Sequence, residues 1–381
     1  MSLKLLATAV LAVSALCAPS AHAEPLTVQP MRYQVTGQRD APGPRDKVVM
    51  PYVQGAAPDV VSRINDMLFI EMLTTLAPPQ PVPVWRVASN PEAAGMASLA
   101  YRVLRNDGRV LTLALDAEGC GAYCENYTRS FSFEASTGRR LLPQELLTPA
   151  GLAAVARTLT RERQARLRAE VARLKQLPAP RRGAGRQDDA DTRAAQVELY
   201  QSCSRGVTVD SLHFDDFQVG AEALHFTGER CSNHAMRALD TLDTFGNDLA
   251  FDTLPDGQLT PLGRALLRSG PSSPASGASP VFNQVLKGRI GAKSAVTMRL
   301  VLEGRDGAVS GVYFYDKFRA PIALQGQLQG RQLLLEENHG GDSPAPGPNA
   351  TFTLSTTAAG RLRGHWQAEG QSGPLEVDVG F

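Results

Sequence analysis

Aromatic residues make up only 6% of this 381-residue chain, and neither charge sign prevails, with 39 Lys and Arg against 38 Asp and Glu. With that balance no strong global charge points to nucleic acid as a partner. Beyond the N-terminal segment no apolar run reaches the ~18 residues a membrane-crossing helix needs, so no transmembrane anchor is expected. The sequence also lacks Gly-x-Ser-x-Gly, His-Glu-x-x-His and Cys-x-x-Cys, the local signatures of serine hydrolases, zinc proteases and redox dithiols. What it does have is 43% hydrophobic and 20% charged residues, the balance of a folded protein with a sizeable core. Its 34 glycines and 26 prolines point to many turns between short strands.

The first 23 residues read as a secretory signal. Lys4 supplies a short positive region, Leu5 to Leu16 is apolar, and Ala21-His22-Ala23 is a small-x-small cleavage site before Glu24. The expected product is periplasmic or secreted. Cys17 leaves with the signal, so Cys120, Cys124, Cys203 and Cys231 remain. An even number in an oxidising compartment favours disulfides over a four-thiolate zinc site, whose ligand spacing Cys120-Gly-Ala-Tyr-Cys124 does not match. Pairing Cys120 with Cys124 and Cys203 with Cys231 is favoured; the crossed pairings stay open.

Periodicity divides the rest. Val60, Ile64, Leu68, Met72 and Leu76 recur every four residues after Pro58, a helix packed on a sheet. Strands are predicted at 98–104, 109–116 and 127–134, the first two joined by Asn106-Asp107-Gly108. Thr148-Pro149 caps a helix running to about Gln176, with seven Arg and Lys on its outer side, Arg161 and Arg168 among them. A second helix is predicted from Thr192 to about Tyr200, and a hairpin turning at Gly220. Residues 265–280 read as a Ser/Gly/Pro linker, and eight short strands follow between 286 and 380. The predicted fold class is α+β: antiparallel sheets with packed helices, in units 24–135 and 136–264, then an all-β antiparallel barrel or sandwich over 281–381.

Fragments that imitate functional motifs fail on spacing. Gly288-Arg-Ile-Gly291-Ala-Lys293-Ser294 has two residues between its glycines where a phosphate-binding loop needs four. His213-Phe214-Asp215-Asp216 has paired acids, but His225 and His234 are not spaced to complete a metal. Asp240, Asp243, Asn247 and Asp248 lack the helix-loop-helix calcium spacing. No cofactor, metal or catalytic residue is assigned.

Three segments carry a family resemblance: Val48-Val-Met-Pro-Tyr-Val-Gln-Gly55 with its following helix, Phe131-Ser-Phe-Glu-Ala-Ser-Thr-Gly138 running on to Gly151, and Phe214 to Leu254. In this order they resemble the paired extracytoplasmic domains of RsiV-type lysozyme-sensing anti-sigma factors, shared with the non-catalytic part of some peptidoglycan deacetylases. The resemblance covers roughly residues 30 to 260. It implies a non-catalytic envelope protein binding lysozyme, another basic protein, or cell-wall glycan; sigma control and deacetylation do not transfer, because the cytoplasmic segment and the catalytic domain have no counterpart. The rivals are a wall hydrolase with a dispersed carboxylate site and a structural envelope protein without a ligand. Charge favours a basic partner: between 206 and 263 acids far outnumber bases, and Asp210, Asp215, Asp216, Glu222 and Glu229 are the candidate contacts.

Overall fold

A computed structural model describes residues 24–36, 48–88, 95–121, 124–178, 186–209, 216–268, 281–303, 306–338 and 350–381. The predicted signal segment, Asp210, Asp215 and most of the predicted linker lie outside the described residues. Strand β1 (Thr27–Thr36) pairs antiparallel with β2 (Val49–Gln54) and parallel with β3 (Val84–Ala88), so this sheet is mixed where antiparallel pairing was expected. Helix α1 (Pro58–Leu73) lies on it. Pro58 starts the helix at a position whose N–H has no helical partner, and Thr74 ends it in the left-handed region at φ 47°. Asn65 locks the helix to the sheet by bonding both N and O of Val53, at 2.8 and 2.9 Å, which satisfies a buried amide.

A second sheet, β4 (Met96–Asn106), β5 (Val110–Cys120) and β6 (Cys124–Glu134), is an antiparallel meander whose β4–β5 pairing shifts register twice, after Met96 and after Val103. Asp107 caps its first turn by accepting from the N–H groups of Arg109 and Val110. The first and third predicted strands fall inside these elements, and the second overlaps β5, which starts one residue later, at Val110.

Two copies of one device start the helices that follow. Thr148-Pro-Ala-Gly151 opens α3 (Pro149–Gln176), after the single-turn α2 (Pro143–Leu146), and Thr260-Pro-Leu-Gly263 opens α5 (Pro261–Leu267). In each, the threonine hydroxyl accepts from the glycine N–H. Each glycine then lets another chain segment pass: a Cβ on Gly151 would sit 2.3 Å from the Gln258 carbonyl oxygen, and one on Gly263 2.0 Å from that of Leu146. Helix α5 therefore occupies the start of what reads as linker. Helix α4 (Arg186–Gly206) is longer than predicted and packs along α3. Sheet three, β7 (Asp216–Val219), β8 (Ala223–Gly228) and β9 (Phe245–Ala250), turns at Gly220 as expected.

The basic helix does not stand opposite the acidic segment as a free pole. Arg163 is buried, and Arg163 and Arg166 lie over the Phe245 ring at 5.9 and 5.2 Å. Both expected disulfides are present, Cys120–Cys124 and Cys203–Cys231, and they fit a protein outside the reducing cytoplasm. Among the described residues no helix is long and apolar enough to cross a membrane. The Cys203–Cys231 bond spans 28 positions, so the chain-entropy model assigns it about 3 to 4 kcal/mol. Replacing both cysteines by serine should shift the urea midpoint accordingly; an unchanged midpoint would show that this link adds nothing.

The last strands, β10 (Val285–Ile290), β11 (Ser294–Glu303), β12 (Ala308–Tyr315), β13 (Pro321–Gln329), β14 (Gln332–Asn338), β15 (Ala350–Thr356), β16 (Arg361–Ala368) and β17 (Leu375–Gly380), form a closed antiparallel barrel. The phosphate-loop look-alike is its first hairpin. Of the barrel and sandwich alternatives, the barrel is what forms. Alternation on β12 explains how it is seated: Val309 and Tyr313 point into the barrel core, while Val312 and Phe314 join Val285 in the core beneath α1. The barrel is thus docked on the first unit. Polar ties reinforce the apolar ones. Lys287 Nζ meets Asp66 Oδ2 at 2.6 Å, and Gln284 bonds both N and O of Arg140.

Candidate functional site

A cleft of about 1330 Å³ lies between sheets two and three. Its construction follows from how β7 sits on the second sheet. Thr112 donates to the Val219 carbonyl at 2.7 Å, and the Val219 N–H donates to Ser132 Oγ at 2.9 Å. Farther along, Asp216 accepts from Ser130 N and Ser130 Oγ, both at 2.7 Å. These buried polar bonds clamp the third sheet along one line and leave the cleft open beyond it.

The outward face of the second sheet forms one wall. Arg102 grips Asp116 in two-pronged fashion, at 2.8 and 3.1 Å, and Thr128 donates to the same carboxylate at 2.8 Å. The hydrogen bond from Arg102 holds Asp116 below the usual carboxylate range. Arg102 and Asp116 are diagonal neighbours in the β4–β5 register, a relationship readable from the hairpin turn and alternation. Across the cleft, Arg230 reaches Glu125 at 2.6 Å. At the rim His225 Nδ1 and Asp248 Oδ1 are 2.7 Å apart.

Three charged groups remain open. Glu229, Asp243 and Arg237 line the cleft, are exposed, and have no side-chain partner among the described residues. Counting every lining residue, the carboxylates of Asp116, Glu125, Asp216, Glu229 and Asp243 face the guanidiniums of Arg102, Arg230 and Arg237. The cleft is therefore net acidic.

The sequence-derived candidates divide accordingly. Asp216 and Glu229 line the cleft, but Asp216 is a half-buried tie to Ser130 and not a free surface acid. Glu222 is exposed and lies apart, beside Arg105, Asp252 and Asp256 at the opposite end of β8. Asp240 is consumed by Tyr200, Ser232 N and Asp243 N. Missed by the sequence reading were Asp116, Glu125 and Arg230; the last also lowers the negative excess of the 206–263 segment.

Glu118, Cys120 and Cys124 are the one group among the described residues whose ligand atoms converge as a metal would need. Both sulfurs are joined to each other, so neither is a thiolate ligand while the bond stands.

Away from the cleft, burial pushes the Glu145 carboxyl up to about 7, against the opposing pull of Arg139. Arg139 Nε and Glu145 Oε1 are 3.9 Å apart and neither makes a hydrogen bond. Between its ordinary 4.5 and about 7, the folded chain keeps a proton that the unfolded chain releases, so stability falls as pH rises through that window. The loss amounts to about 3 kcal/mol. Glu145→Gln should abolish this slope and be the more stable protein at pH 8; parallel urea-stability curves for the two proteins across pH 4 to 8 would contradict it.

No family model matches the chain and a search of curated proteins returns no match, so what the cleft does must follow from its own shape and charge.

Proposed function

We propose that this chain is a non-catalytic binding protein of the cell envelope, exported by its N-terminal signal, and that the cleft between sheets two and three receives its partner. The observation that carries the reading is the net acidic cleft, in which two acids, Glu229 and Asp243, and one base, Arg237, are left unpaired among the described residues. Exposed charges that no internal partner claims are free to attract a partner of opposite sign and to accelerate its encounter. A basic protein surface such as that of lysozyme suits this arrangement, in keeping with the RsiV-like order of the sequence segments. The paired groups, Arg102 with Asp116 and Arg230 with Glu125, largely neutralise each other and leave the field of the cleft to its unpaired charges.

Surface plasmon resonance against a basic lysozyme and against N-acetylglucosamine oligomers tests the reading. Salt-sensitive binding of the lysozyme supports it. Binding of the oligomers alone would transfer the cleft to the glycan, and binding of neither would overturn the proposal.

A further inference from the structure

A second cavity, of about 440 Å³, opens where the barrel docks on the first unit. Its size falls within the roughly 300–1,000 Å³ of small-molecule sites, and junctions between packed units are where such sites recur. Four charged side chains line it: Asp66 from α1, Lys287 from β10, and Asp316 and Arg319 from the β12–β13 turn. Two of them neutralise each other, since Lys287 Nζ lies 2.6 Å from Asp66 Oδ2.

The other two are left over. Asp316 accepts only a neutral hydroxyl bond, from Thr297 at 2.8 Å, and Arg319 donates to the Ala77 carbonyl oxygen. Among the described residues neither is ion-paired, and the two do not pair with each other although they are three residues apart in one turn. One open cation and one open anion therefore face a single small cavity. A monoanion or a monocation would leave one of them uncompensated on entering, while a zwitterion answers both. The remaining wall near α1 is mixed: Val61, Leu76, Pro78 and Pro79 give it an apolar strip, and Ser62, Asn65 and Gln80 flank that strip.

The backbone at Arg319 singles it out. It ends the turn after β12 at φ 59°, a left-handed conformation that glycine adopts without cost and arginine does not. Here a long cationic side chain occupies a position whose backbone favours none.

We propose that this cavity binds an amino-acid zwitterion with an apolar side chain, its carboxylate on Arg319, its ammonium on Asp316 and its side chain against the proline-lined wall. This site is separate from the acidic cleft and does not depend on the reading of that cleft.

Leucine is the probe. Calorimetric titration of the full chain should show one leucine bound per protein, with leucine methyl ester and N-acetyl-leucine, each lacking one charge, at least tenfold weaker. Arg319→Gly suits the local backbone and should keep the melting temperature while losing leucine binding. Asp316→Asn should likewise weaken leucine at least tenfold. Glu229→Lys with Asp243→Lys, in the cleft, should leave leucine binding unchanged. No leucine binding up to millimolar concentration would overturn the proposal, as would equal binding of the blocked analogues or full binding by a folded Arg319→Gly protein.

Discussion

Replacing Glu71 by alanine should lower the unfolding free energy by about 3 to 5 kcal/mol, the cost of removing one partner from a buried ion pair. Glu71 lies at the end of α1 with its side chain 9% exposed, and three arginines converge on it, from β6, from the stretch after β6 and from β11. Arg140 approaches at 3.4 Å, Arg129 at 3.5 Å, and Arg299 of the barrel is its closest partner. Burial pulls the Arg299 guanidinium below its ordinary pKa, and the charge of Glu71 is what opposes that pull. Without Glu71 two of the three cations stay largely buried beside one another with no anion between them. The penalty falls where the barrel meets the first unit, so Glu71→Ala should also split a single urea transition into two, the barrel parting first. Tryptophan fluorescence can follow this, because Trp85 reports on the first unit and Trp366 on the barrel. A loss below about 1 kcal/mol, the scale of an exposed pair, would mean that the cluster does not hold the barrel.

Reversing Glu229 and Asp243 to lysine should slow association with a basic lysozyme by about 10- to 100-fold at low salt, with little change in dissociation. Both side chains are exposed and unpaired, so the substitution changes the field of the cleft without breaking a bond. Glu229→Lys should leave stability within about 0.5 kcal/mol of the parent, while Asp243→Lys, at φ 52°, adds the backbone cost of placing lysine where aspartate is better tolerated. The salt dependence should flatten together with the rate, because screening acts within about 8 to 10 Å. Asp216→Lys is a poor probe of the same idea: it removes the acceptor for Ser130 N and Oγ and would perturb folding as well as binding. Arg161→Glu with Arg168→Glu, on the exposed side of α3, serves as the control and should leave association nearly unchanged.

Local chemistry was legible in the sequence, and long-range packing was not. Thr148-Pro149 marks the first residue of α3 because a capping hydroxyl and a proline that needs no N–H partner act within one turn. The eight barrel strands are visible for the same reason, since alternation and glycine turns are decided by neighbours in sequence. The docking of the barrel is hidden because Val309 to Tyr315 is apolar on both faces, and periodicity cannot say that Val312 and Phe314 face a core begun at residue 26. The parallel β1–β3 pair is hidden likewise, as its partners are separated by α1. In the cleft, acidity alone suggested Asp216 and Glu229 as equals. Only the approach of Ser130, 86 positions away, shows that one is a structural tie and the other is open. Asp116 went unnoticed because its significance depends on Arg102 and Thr128 from the two neighbouring strands.

Where the partner sits can be measured directly. Hydrogen–deuterium exchange of the full chain, with and without a saturating basic lysozyme, reports which backbone segments become covered. Protection is expected along both walls of the cleft, in Asn126–Thr128 and in Thr227–Ser232, with the barrel and the outer side of α3 unchanged. Protection confined to α3, α4 or the barrel, with those two segments exchanging as in the free protein, would contradict the acidic cleft as the binding site.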